Sequence, residues 1–225
     1  GARKGMDKVR QVSDHMNTIL RYIPYVQTNF VLGLDSDEGP EPFELTKRFM
    51  DLTPGAYPTC LTLTAYGRAT AVNLGYQRDE RVLPLPFHLL NNSHMNVKPR
   101  NYSWREMWDN LAGLTRHAYS ARATARRVGA TRGFVSRMMN LARSREGVAI
   151  RRRQAEIRHR LHADRQFRRF FEGETAELPR YYVDLVRKEL GPLWSLLPEG
   201  TLRHDPNAYL KAELGQAAMP GLSAS

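Results

Sequence analysis

Residues Tyr25–Leu34, YVQTNFVLGL, are the stretch from which the fold is read. The run is short, ends in continuous apolar residues and closes at Gly33, the pattern of a buried strand. Upstream, Met6–Ile23 places Val9, Val12, Met16, Ile19, Leu20 and Ile23 at helical spacing, so one face of a helix is apolar. Pro24 ends that helix, because proline cannot continue it and turns the preceding residue away from α. Downstream, Asp35–Pro40 is a turn, and Pro42 suits the first turn of a helix through Leu52 that buries Phe43, Leu45, Phe49 and Met50. Pro54-Gly55 closes it, and Thr59–Tyr66 (TCLTLTAY) alternates as a second strand. Helix, strand, helix, strand with short connections predicts a parallel α/β sheet, with Phe30–Leu32 and Leu61–Leu63 as neighbours.

From Asn101 the pattern turns helical only. Ser103-Trp104-Arg105-Glu106 fits a capping box, the serine capping and the glutamate reaching back from the third helical position. Trp104, Met107, Trp108, Leu111, Leu114 and Ala118 then form one apolar stripe. Phe134–Leu141, Ile150–Phe171 and Arg180–Leu190 are further helix candidates, the last stopped by Gly191-Pro192. Three segments follow: an α/β part over residues 1–100, an arginine-rich helical part over 101–214, and a small, polar, flexible tail over 215–225.

The 225 residues carry 34 Lys+Arg against 23 Asp+Glu, a formal charge of +11. The excess is local: residues 116–169 hold 16 arginines, no lysine, and only Glu146, Glu156 and Asp164 as acids. Arg126-Arg127 and Arg151-Arg152-Arg153, with Phe167, Phe170 and Phe171 for stacking, make a basic helical module that binds RNA or another polyanion the alternative reading. No RRM, KH or helix-turn-helix pattern accompanies it. No run of about 18 apolar residues marks a membrane span, and residues 1–5 do not read as a signal peptide. A cytoplasmic location is expected.

Catalytic motifs are missing from the sequence. Neither G-x-x-x-x-G-K-[ST], G-x-G-x-x-G nor G-x-S-x-G occurs. The acidic turn Asp35–Gly39 fails as a calcium loop, since its sixth position is Pro40 and its twelfth Thr46. Its acids suit the start of the following helix instead. His88 and His94 lack a shared helix face and a third ligand. Glu156-Ile157-Arg158-His159 has a di-iron spacing but sits among arginines that repel a cation. Cys60, the one cysteine, reads as an inert thiol inside an apolar strand.

Asn29–Asp37 (NFVLGLDSD), followed by Pro42-Phe43-Glu44 and a helix, resembles a segment of radical S-adenosylmethionine enzymes, most closely the subgroup with a cobalamin-binding-type domain ahead of the radical barrel. Leu61–Thr70, then Leu85-Pro86-Phe87-His88 and Asn101-Tyr102-Ser103 before a long helix, extend the resemblance over roughly residues 6–122. It implies the last βα units of a partial TIM-like barrel followed by an all-helical extension. The family's G-x-I-x-G-x-x-E pattern places Val31 on the isoleucine and Gly33 on the second glycine, with Asn29 and Ser36 replacing the other two. The resemblance thus implies Val31, Gly33 and, on the next strand, Leu63 as contacts to the adenine of S-adenosylmethionine. Such edges suit the role, because barrel ligands sit at the C-terminal ends of strands. The family's four-iron cluster needs thiolates that one cysteine cannot supply. The implied parent protein would therefore hold the 4Fe-4S cluster and S-adenosylmethionine, with cobalamin left open. The upstream half of the same barrel is then this chain's first partner, and the chain by itself holds no catalytic or metal-ligating residue.

Overall fold

A computed structural model describes residues 2–65, 71–90, 94–198, 200–202 and 205, without the side chains of residues 2–4 and 87. The tail expected from residue 215, Tyr66 at the end of the second expected strand, and Asn91-Asn92 between the two histidines lie outside the described residues. The chain forms two compact units, residues 1–61 with 100–164, and residues 62–99 with 165–225.

The first unit opens with α1 (Ala2–Tyr22), β1 (Gln27–Leu32), α2 (Glu41–Leu52) and β2 (Tyr57–Thr62), the last residue of which falls in the second unit. β1 and β2 pair as a two-stranded parallel sheet, with α2 as the crossover that parallel strands require. Phe49 of α2 meets Phe30 of β1 edge-on, ring centroids 5.5 Å apart, and α2 also packs on α1. Two details differ from the sequence reading. β2 starts and ends earlier than Thr59–Tyr66, with Pro58 inside it, as a proline on an edge strand allows. β1 is buried on one face only, where Thr28, Phe30 and Leu32 turn inward, while Gln27, Asn29 and Val31 are exposed. The continuous apolar run suggested cover on both sides. On the second face Gln27 Oε1 accepts from Arg143 Nη2 at 3.1 Å, while Asn29 and Val31 stay exposed.

The same unit continues with α4 (Trp104–Ala118), α5 (Ala121–Ala130) and α6 (Phe134–Ala163), after α3 (Ala71–Arg78) in the other unit. The capping box forms as the sequence required: Glu106 N donates to Ser103 Oγ at 3.2 Å and Ser103 N to Glu106 Oε2 at 2.8 Å. Those bonds hold the Glu106 carboxyl below its ordinary range. The stripe Trp104, Met107, Trp108, Leu111, Leu114 and Ala118 is fully buried, and α4 packs along α6. Thr115 Oγ1 meets Gln154 Oε1 at 2.9 Å inside that contact. The two helices expected over Phe134–Leu141 and Ile150–Phe171 are divided differently. α6 runs unbroken through Gly147, and the break comes at Asp164, before α7 (Arg165–Phe171). α5 carries no apolar stripe to announce it; its sign is Ser120, whose hydroxyl accepts from Ala123 N.

The second unit holds α3, α7 and α8 (Arg180–Leu190), with 3-10 turns at Phe87–Leu89 and Gly191–Leu196. Asn96 pairs its side-chain amide with both backbone groups of Ala65, at 2.7 and 3.0 Å, and Val82 bridges Val97 antiparallel. Phe167, Phe170, Phe171 and Tyr182 form a buried aromatic cluster in which Phe167 stacks on Tyr182 at 5.7 Å. Gly191 ends α8 with φ of 53°, and Pro192 follows, as the sequence indicated. No helix among the described residues is long and apolar enough to cross a membrane.

Candidate functional site

β1 ends in a tight turn built from its own sequence. Gly33 takes φ of 87°, a left-handed conformation that glycine accepts without strain. Asp37 Oδ2 receives the amides of Gly33 and Leu34 at 3.0 and 3.1 Å, so the acidic residue closes the turn rather than facing a cation. Residues 100–102 then brace it. Asn101 Nδ2 donates to the carbonyls of Asp35 and Asp37 at 2.9 and 3.1 Å, and the Tyr102 hydroxyl donates to Gly39 O at 2.8 Å. Burial pushes the Tyr102 phenol up to about 12, helped by the charges of Asp37 and Glu38, so it remains a donor. Tyr102 also meets Phe43 of α2 edge-on at 5.8 Å.

The three residues implied as adenine contacts are placed unequally. Val31 stands on the open face of β1 with 43% of its surface exposed, and Gly33 follows two residues later, buried at the strand's C-terminal end. Leu63 is 7% exposed, just past β2, and belongs to the second unit. Val31 and Gly33 together offer an apolar edge and a backbone without a side chain. They offer no acid, base or nucleophile, and Asp37 is engaged by the turn.

Beneath the sheet lies a second cluster that the sequence did not announce. The Tyr119 hydroxyl donates to Pro58 O at 2.9 Å, and the Tyr57 hydroxyl to Arg143 O at 2.8 Å. Arg127 is 4% exposed, with its guanidinium 5.2 Å from the centre of the Tyr57 ring and bonded to Ala118 O and Ser144 Oγ. The aromatic face and the carbonyl replace water around the cation, while burial pulls its pKa down. Burial likewise pushes the Cys60 thiol and the Tyr57 phenol up to about 12. These are neutral, structural groups.

The arginines therefore divide. Arg127 is interior, and Arg126 pairs with Asp51 at 3.0 Å, an acid also reached by His117 at 3.2 Å. Of that pair Arg126 alone stays at the surface. Phe167, Phe170 and Phe171, named for base stacking, are each 1% exposed or less. The helix that supplies them turns its aromatic side inward, a choice set by packing that spacing alone does not reveal. His94 is buried edge-on to Tyr182 at 6.0 Å. Among the described residues no group of three or more His, Cys, Asp or Glu is placed to hold a metal.

In comparisons with known proteins, no family model, no curated protein and no solved structure matches this chain.

Proposed function

We propose that this chain is the C-terminal portion of a radical S-adenosylmethionine enzyme, supplying late strands of a partial TIM-like barrel near the adenine, followed by a helical extension. The observation that carries the reading is the parallel β1–α2–β2 unit, whose first strand leaves Asn29 and Val31 uncovered and ends at Gly33. Asn29 and Val31 leave part of the face that a barrel wall turns to its lumen without cover, as the loss of neighbouring strands would. Val31 and Gly33 fit an adenine edge through van der Waals contact and backbone approach. The cluster does not fit this chain: Cys60 is one thiol, buried, and holds its proton, whereas a four-iron cluster takes several thiolates. In this reading the upstream half of the barrel holds the cluster.

The reading frame upstream of Gly1 tests this first. An in-frame Cys-x-x-x-Cys-x-x-Cys supports it, and a start codon directly before Gly1 overturns it. On the product carrying that segment, Val31→Asp should weaken S-adenosylmethionine binding by about tenfold or more, equivalent to ~1.4 kcal/mol, with iron content unchanged. Undiminished affinity would remove Val31 from the site.

A further inference from the structure

The end of the α5–α6 hairpin is unusual for a water-facing surface. Thr131 organises the turn: its hydroxyl accepts from Asn140 Nδ2 at 2.9 Å and its carbonyl from Arg137 Nε at 2.9 Å. Held in this way, the first two turns of α6 expose five large apolar side chains, Phe134 at 78%, Val135 at 70%, and Met138, Met139 and Leu141 at 44–48%. At 3.6 residues per turn, Phe134, Met138 and Leu141 lie along one line, with Val135 and Met139 beside it, an arc of about 160°. Apolar exposure grouped in this way marks an interaction surface.

The charge around it says what the surface meets. Arg145 and Arg152 continue the line of Phe134 and Met138 along α6, and Arg132 sits in the turn. All three are exposed and form no ion pair among the described residues. Between α5 and α6, Leu141, Arg145 and Val148 face Ala125 and Val128 across an open groove of about 580 Å³. Residues 121–152 contain nine arginines and one acid, Glu146, and Glu146 is paired with Arg143 at 2.6 Å.

We infer that this hairpin end docks on an anionic phospholipid surface, with Phe134, Val135, Met138, Met139 and Leu141 entering the headgroup boundary and Arg132, Arg145 and Arg152 meeting lipid phosphates. Apolar side chains at one end of a helical face and arginines along its continuation are the arrangement by which interfacial helices bind acidic bilayers. A second copy of the chain would bring the same positive charge against it. Nucleic acid would satisfy the arginines but leave four aliphatic or thioether side chains in water, since stacking on bases needs flat rings.

The test is flotation of the full chain with vesicles of phosphatidylcholine alone and with about one-third phosphatidylglycerol. Binding is expected to the acidic vesicles only, and to weaken at high salt. Phe134→Gln with Met138→Gln should reduce it tenfold or more. Arg145→Gln and Arg152→Gln should each reduce it about fivefold. These positions are exposed, so an unchanged circular dichroism spectrum establishes that the variants fold. A fluorophore on Val135→Cys, with Cys60 shielded by burial, should shift to the blue on acidic vesicles. Absence of binding to the acidic vesicles overturns the inference. Binding that the double apolar variant leaves intact also overturns it, as does retention of single-stranded RNA in place of vesicles.

Discussion

Gly147, in the middle of α6, lies flat against the ring of Tyr119: a Cβ at position 147 would stand 2.3 Å from Tyr119 Cδ1. Glycine inside a helix costs about 1 kcal/mol relative to alanine. Here that cost is the condition for Tyr119 to reach Pro58 O and close the contact beneath the sheet. Gly147→Ala should therefore destabilise the protein by about 1–3 kcal/mol through overpacking, despite the better helix former. Gly129→Ala in α5, where nothing lies within 4 Å, should stabilise it by about 0.5–1 kcal/mol. Urea unfolding midpoints compare the two, and a stabilising Gly147→Ala would contradict the packing described.

Cys60 should be silent to thiol reagents in the folded chain. Its surroundings raise the thiol to about 12 by burial, partly offset by the Tyr119 hydroxyl and Arg127. At pH 8 the reactive thiolate is therefore scarce as well as shielded. Labelling with a disulfide reagent should be negligible in native buffer and complete in denaturant. Fast native labelling would mean that β2 is open.

Asp109 should report on α4–α6 packing through pH. Burial works to raise its carboxyl, but hydrogen bonds from Arg158 at 2.5 Å and His162 at 3.1 Å, with the charges of both, bring it below its ordinary range. A lowered carboxyl contributes stability that is present above the unfolded value of about 3.9 and is lost as pH falls through the folded value. Because the pair is part-exposed, the contribution should be below about 1 kcal/mol. Asp109→Asn should be less stable than the parent at pH 6 and equal to it at pH 2. A carboxyl-carbon titration by NMR should find the midpoint depressed, and Arg158→Gln should raise it.

Hydrogen exchange should separate sheet from helix. Among the described residues β1 pairs on one side only, and it borders an open apolar groove of about 520 Å³ lined by Val9, Val12, Met16 and Phe30. Trp108–Leu114 lie within a capped helix whose apolar side chains are buried. The amides of Phe30–Leu32 should exchange faster than those of Trp108–Leu114 in a monomeric sample. The reverse order would show the sheet complete as it stands, and the proposal that it belongs to a larger barrel would lose its physical basis.

Whatever depends on neighbours a few residues apart was legible along the chain. The capping box at Ser103 and Glu106, the stripe from Trp104 to Ala118, the strand–helix–strand order through Phe30, Phe49 and Leu61, and the stop at Gly191-Pro192 all rest on local spacing and local hydrogen bonds. At the candidate site the same holds for the Gly33 turn, but not for its bracing by Asn101 and Tyr102, more than sixty residues away. Tertiary packing, by contrast, set that Asn29 and Val31 stay uncovered, that α6 continues through Gly147, and that Arg127 leaves water for the ring of Tyr57. It alone separated the buried phenylalanines of α7 from the exposed Phe134. A side chain's type and spacing state what it can bury. Which partner arrives to cover it, from a segment distant in the chain, is settled by packing, and packing is not written in any local window.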